Sequence, residues 1–208
     1  MLHSLFLALI VLLALPASGR SEDFIITVNG VTKEMDLDQE QILDLPNGTA
    51  LKIKINQKEV LRFASSLFSF EHKNRYKPNQ TDLGNGTKQT MIVTPLGTGI
   101  IVQEFTQLNP THLVDAILGE LTKEERDYGY KYQEKTVTKQ AGGVTFKGKE
   151  AVTSYPGEEW TRSILACGGK DKGVVIITFI EKDQYTEERD LAGRLWQSLQ
   201  ITASGCTP

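Results

Sequence analysis

The chain has 208 residues, 39% apolar and 24% charged, which suits one ordinary folded domain, with or without a small appendage. This composition excludes a disordered chain and a coiled coil. A net charge of −3 argues against non-specific binding to nucleic acid or anionic lipid, and two cysteines are too few for a disulfide-rich scaffold or a four-cysteine zinc site.

The first 19 residues read as a signal peptide. Leu5 to Leu15 is almost wholly apolar, Pro16 breaks the run, and the small residues Ala17, Ser18 and Gly19 follow. Such a run is too short for a membrane-spanning helix, which needs about 20 residues. No later stretch is long and apolar enough to span a membrane, so no transmembrane segment is expected after cleavage. The chain then divides into a signal peptide over 1–19, an N-terminal β-hairpin extension over 20–58, and an α+β domain over 59–208. Export implies an oxidising compartment, where Cys167 and Cys206 are expected to pair and close a loop worth about 4 kcal/mol on the chain-entropy model. The alternative leaves Cys167 as a small buried hydrophobe and Cys206 in a frayed tail.

In chain order, Phe24, Ile26 and Val28 alternate up to Asn29-Gly30, a strong hairpin signal, and a return strand follows through Val31 and Met35. Asn47-Gly48 marks a second turn. Leu51, Ile53 and Ile55 alternate with polar residues as in a half-buried strand. Residues 60–70 carry an apolar run with Phe63, Phe68 and Phe70, and 72–89 reads as the longest loop. Met91 to Thr94 and Ile100 to Phe105 form an expected hairpin. Asn109 and Pro110 open a helix as N-cap and first residue. Its apolar face is Leu113, Ile117 and Leu121, flanked by Val114 and Leu118, and Gly119 fits a close approach to a strand. Strands are expected at about 130–139, 144–155, 160–167 and 173–181. Val174 to Ile180 is apolar on both faces, as a covered central strand requires. A last helix carries Leu191, Leu195 and Leu199, with Glu187 and Glu188 in its first turn. This order gives an α+β domain with a mostly antiparallel sheet covered by two helices.

Residues 68–201 resemble the PsbP-like superfamily, whose members include photosystem II extrinsic proteins and DcrB-type bacterial periplasmic proteins. Four pieces carry the resemblance: Phe68-Ser69-Phe70 followed by Tyr76 to Pro78, the helix from Pro110 to Arg126, Gly148-Lys149-Glu150-Ala151-Val152, and the strand and helix from Val174 to Leu199. The resemblance implies an antiparallel sheet sandwiched by helices (α/β/α), usually without catalysis, in a protein that binds partners or assists assembly. It also implies a bacterial source. There the glycosylation-type triplets at Asn47, Asn79 and Asn85 are turn chemistry only.

Few residue patterns point to chemistry. Only His72 and His112 remain after signal cleavage, without zinc-hydrolase spacing. His112 reads as a surface residue. His72, Lys73, Arg75 and Lys77 form a basic loop, read as solvated, with contact to an acidic partner as the functional alternative. Asp36, Asp38 and Glu40 match the start of a calcium loop, but Gln41 and Asn47 stand where glycine and glutamate are needed. The pairs Glu124-Glu125, Glu158-Glu159 and Glu187-Glu188 read as surface charges. There is no Gly-x-Ser-x-Gly elbow and no phosphate-binding glycine loop. Tyr128, Tyr130 and Tyr132 are expected on one strand face as a cross-strand cluster, with ring stacking on a ligand as the alternative. The expectation is an exported, non-enzymatic protein without a cofactor that binds a protein partner or assists assembly at the cell envelope. The alternative is an envelope protein that binds a small ligand or metal.

Overall fold

The computed structural model describes residues 24–182, 186–202 and 206. The expected signal peptide lies outside them. The chain divides into two compact units, one ending at Gln57 and the other starting at Lys58.

The first unit holds two hairpins rather than one. Strands β1 (Phe24–Val28) and β2 (Val31–Met35) pair around Asn29-Gly30. Both turn residues have positive φ, at 50° and 83°, the backbone that a type I′ turn requires. Strands β3 (Glu40–Asp44) and β4 (Ala50–Lys54) form the second hairpin. Lys33 Nζ links the two by donating to the Ile42 carbonyl at 2.6 Å. Asp38 bonds through its backbone N–H to the Ile55 carbonyl, and Glu40 pairs with Lys52 at 3.0 Å. Among the described residues no three His, Cys, Asp or Glu side chains converge as a metal site would need.

The second unit is built on a seven-stranded antiparallel sheet. Its strands are β7 (Asn79–Gly84), β8 (Thr87–Val93), β9 (Gly99–Phe105), β10 (Lys131–Ala141), β11 (Val144–Tyr155), β12 (Glu158–Gly168) and β13 (Gly173–Glu181). They lie in the order β10-β11-β12-β13-β9-β8-β7. A smaller sheet joins β14 (Gln200–Ile201), β6 (Phe68–Lys73) and β5 (Val60–Ala64). The helices are α1 (Val114–Tyr128) and α2 (Thr186–Ser198).

Side-chain alternation on β12 and β13 separates two cores. Val174 and Ile176, with Leu165 and Cys167, face a core completed by Phe68 and Phe70 of β6 and Leu191, Leu195 and Trp196 of α2. Val175 and Ile177, with Ile164 and Ala166, face a second core with Val114 and Leu118 of α1. The expectation of helices alone on both faces is thereby corrected. On the α2 side the small sheet shares the cover, because three phenylalanines of β5 and β6 carry too much apolar surface to stay in water.

Three local expectations also change. The stretch 72–89 is not one long loop: it contains the edge strand β7, whose six residues are all exposed and so carry no apolar alternation. Gly84-Asn85-Gly86 is its hairpin turn. The buried stripe of α1 is Val114, Leu118 and Thr122, one residue later than expected, while Leu121 stays exposed. The cause is a 3-10 turn over Pro110–Leu113, capped by the Asn109 side chain, which shifts the phase before α1 begins. Gly119 approaches no strand, since a Cβ there would meet nothing within 4 Å.

A buried carboxylate fixes the small sheet to the large one. Glu104 follows Ile100 and Val102 on the same face of β9 and is 1% exposed. It accepts from Ser65 Oγ at 2.8 Å, Ser66 Oγ at 3.0 Å and the Leu67 N–H at 3.2 Å, all in the turn between β5 and β6. Gln80 of β7 extends this network by donating to Ser65 Oγ at 2.8 Å. Cys167 and Cys206 lie at disulfide distance, Cα to Cα 5.2 Å, and form a bond that ties the C-terminal end to β12. Oxidising compartments sustain such a bond.

Two outcomes are expected. Glu104→Ala lowers the unfolding free energy by about 3 kcal/mol, read from the urea midpoint, because three donors lose a charged acceptor. Cys206→Ser lowers it by about 4 kcal/mol, and thiol titration of the denatured wild-type protein finds no free cysteine.

Candidate functional site

Helix α1 ends at Gly129, whose φ of 99° is left-handed and lets its N–H bond back to the Arg126 carbonyl. Tyr128 therefore closes the helix, Tyr130 lies in the link, and Tyr132 starts along β10. At the far end of the neighbouring hairpin, Pro156-Gly157 turns β11 into β12 and brings Tyr155 beside the first two. The rings of Tyr128, Tyr130 and Tyr155 form a cluster with centroids 5.1 to 6.1 Å apart. Tyr128 is 72% exposed and Tyr155 46%.

The expected trio is thus corrected: Tyr155 replaces Tyr132. Tyr132 instead donates to Glu134 at 2.5 Å and lies under the Arg126 guanidinium. The helix-ending glycine breaks the alternation on which the expected trio depended. That signal is present in the sequence, since glycine commonly follows a helix C-terminus.

The cluster is held from below. Tyr130 Oη donates to Glu158 at 2.6 Å, and Trp160 Nε1 donates to the other oxygen of the same carboxylate at 2.7 Å. The two donors hold the Glu158 carboxyl below its ordinary range. The hydrogen bond to Glu158, with burial, pushes the Tyr130 phenol up from 10.0 to about 12. Beside them Arg162 bonds Glu125 of α1 through both guanidinium arms, and its Nη1 also donates to Thr153 at 3.0 Å. The side chains of Arg162 and Glu125 are only 13% and 18% exposed, so Glu125 is not the surface charge expected from the sequence. This fork joins the last turns of α1 to the sheet.

Two further concavities of the larger unit involve residues singled out in the sequence. A groove of about 770 Å³ runs beside the start of α1, lined by Thr111, Asp115, Thr136, Lys147, Lys149 and the Cys167–Cys206 pair. Lys149 is engaged by Asp115 and Glu134, both at 2.9 Å, and these contacts raise its affinity for its proton. A second recess of about 680 Å³ is lined by Arg75, Tyr76 and Lys77 together with Thr94, Leu96 and Glu188. The expected basic loop therefore divides. Arg75 and Lys77 line the recess. His72 and Lys73 belong to β6, and His72 is buried, with its ring edge-on to Phe70. The FSFEHK strand alternates inward at Phe68, Phe70 and His72, which puts the imidazole in the core rather than in solvent.

No protein-family model and no curated protein matches the chain. Several solved structures are similar to it, two of which follow. A protein from Bacteroides thetaiotaomicron is 14% identical with a TM-score of 0.40, over 68% of this chain and 48% of that one. This chain thus spans about half of that protein's length. The cyanobacterial PsbP (CyanoP) from a Synechocystis species is 9% identical with a TM-score of 0.45, over 69% of this chain and 93% of that one.

The hydrogen bond between Tyr130 and Glu158 has a pH signature. The folded-state pKa of Tyr130 exceeds the unfolded one, so the stabilisation it contributes is complete below about pH 10 and is lost as pH rises toward 12. Ultraviolet titration of the phenolates is expected to show Tyr130 ionising near pH 12. Glu158→Gln moves that inflection back toward 10, and Tyr130→Phe removes it.

Proposed function

We propose that this chain is an exported member of the PsbP-like superfamily that binds a protein partner at the cell envelope, with the tyrosine cluster as its contact surface. The observation that carries this reading is the exposure of Tyr128 and Tyr155 on a support that allows little movement. Large aromatic side chains in water are unfavourable for an isolated protein, and tyrosine is among the residues enriched where partners bury surface. Tyr130 is fixed by Glu158, and its neighbours lean on its ring. A surface already ordered loses little conformational entropy on binding.

Superfamily membership is supported by where the four sequence pieces lie. Phe68-Ser69-Phe70 builds the small sheet, α1 and α2 cover the large one, and Gly148 sits where a Cβ would strike the Ile164 carbonyl. Export is supported by the apolar leader and by the cysteine pair. A catalytic role is not part of the proposal. Tyr130 is bonded to Glu158, and Arg162 to Glu125 and Thr153, in structural arrangements.

Cross-linking in the native envelope, followed by capture and mass spectrometry, tests the reading. A stoichiometric partner is expected, with cross-links near Tyr128 and Tyr155. Tyr155→Ala and Tyr128→Ala are each expected to weaken its binding by about tenfold or more while leaving the melting temperature nearly unchanged. A captured partner whose affinity ignores both substitutions rejects the tyrosine surface.

A further inference from the structure

The recess lined by Arg75, Tyr76 and Lys77 contains an anomaly that the tyrosine surface does not explain. Glu188 is 5% exposed and Thr94 4%, both line the recess, and neither Glu188 Oε2 nor Thr94 Oγ1 has a hydrogen-bond partner among the described residues. Thr98 Oγ1 is likewise buried without a partner. It closes the same turn, in which the Thr94 N–H donates to the Thr98 carbonyl at 2.8 Å. Folded proteins rarely leave buried polar atoms unmet, and a carboxylate can only accept. The unmet demand of Glu188 is therefore for a donor, whereas the threonine hydroxyls can donate or accept.

Charge narrows the choice. A simple cation would meet Glu188 but would also face the ammonium of Lys77. A simple anion would meet Lys77 but would face the Glu188 carboxylate. A molecule with both charges satisfies both ends. Val93, Pro95 and Leu96 supply an apolar wall, and the volume of about 680 Å³ exceeds what one such molecule needs.

We propose that this recess binds a free apolar amino acid as its zwitterion. The ligand's ammonium donates to Glu188 and Thr94, its carboxylate accepts from Lys77, and its side chain lies against Val93 and Leu96. An ammonium has three N–H donors, which suits a carboxylate that can only accept and a hydroxyl oxygen with free lone pairs. The site stands apart from the tyrosine cluster and does not depend on the partner-binding reading.

The test is calorimetric and amide-shift titration of the full mature chain with leucine, 4-methylpentanoate and isopentylamine. The second compound lacks the ammonium and the third lacks the carboxylate. Leucine is expected to saturate the site, with shifts at Thr94 and Lys77, and both analogues to bind about tenfold more weakly or worse. Glu188→Gln, Thr94→Val and Lys77→Met are each expected to weaken leucine by a similar factor. Lys77 lies outside the core, so its variant reports even if a buried substitution fails to fold. The absence of saturable binding at millimolar leucine overturns the proposal. So does equal binding of either analogue, or leucine affinity unchanged in Lys77→Met. If Thr94→Val raises the melting temperature and leucine does not bind, the buried oxygens are met by water alone and the proposal fails.

Discussion

The architecture of the larger unit follows from one strand that must be dry on both faces. From Val174 to Ile177, β13 offers no polar side chain to either side, and all four residues are at most 3% exposed. An apolar strand of this kind cannot sit at an edge or on a half-wet sheet, since each exposed large aliphatic side chain would cost about 1.5–3 kcal/mol. It must be central and covered twice. The sheet order places β12 and β9 on its two sides, and the two cores place α1 above one face and α2 with the small sheet below the other. The remaining elements extend this arrangement or anchor it.

The anchors are polar, and each sits where apolar contact runs out. Glu104 lies at the end of β9, beyond Ile100 and Val102, and holds the turn that introduces the small sheet. Arg162 lies on β12 beyond Ile164 and holds the C-terminal half of α1 through Glu125. Both are buried or nearly buried charges with several partners, which is the condition under which such groups are tolerated. Because the Arg162 fork fixes the end of α1, it also fixes Tyr128. The exposed aromatic surface is thus an extension of the packing rather than a loose ornament on it.

Much of this was legible in the sequence, for physical reasons that particular residues make plain. Val174 to Ile177 announces a central strand because its pattern has no other stable use. Asn109-Pro110 announces the start of the helix because the cap chemistry is local. The face of that helix was not legible to the residue, because a 3-10 turn has a different angular step and nothing in Pro110–Leu113 distinguishes it from an α-helical start. Strand β7 was hidden because it is an exposed edge, held by backbone bonds that no side-chain pattern records. The polar anchors were hidden for a different reason. Glu104, Glu125 and Glu188 look like surface charges until the strands and helices that bury them are in place, so the candidate sites built on such groups emerge only in three dimensions. The cysteine pair was legible because the apolar leader implies an oxidising compartment, where two thiols are expected to pair.

The small sheet also sets an order of events. Its strands come from the two ends of the domain: Ser69 pairs with Gln200, and the Thr202 N–H bonds to the Leu67 carbonyl. The core beneath it requires α2, and the covalent tie requires Cys206. By contrast β10 to β13 are joined by short turns and pair with their neighbours in sequence. Closing a long loop costs entropy before any contact rewards it, so the meander has the kinetic advantage and the terminal strand comes last. A chain emerging from synthesis cannot bury Phe68 and Phe70 until nearly all of it has been made. Strand β14 and the bond to Cys206 therefore act as the latch that closes the small sheet over this core.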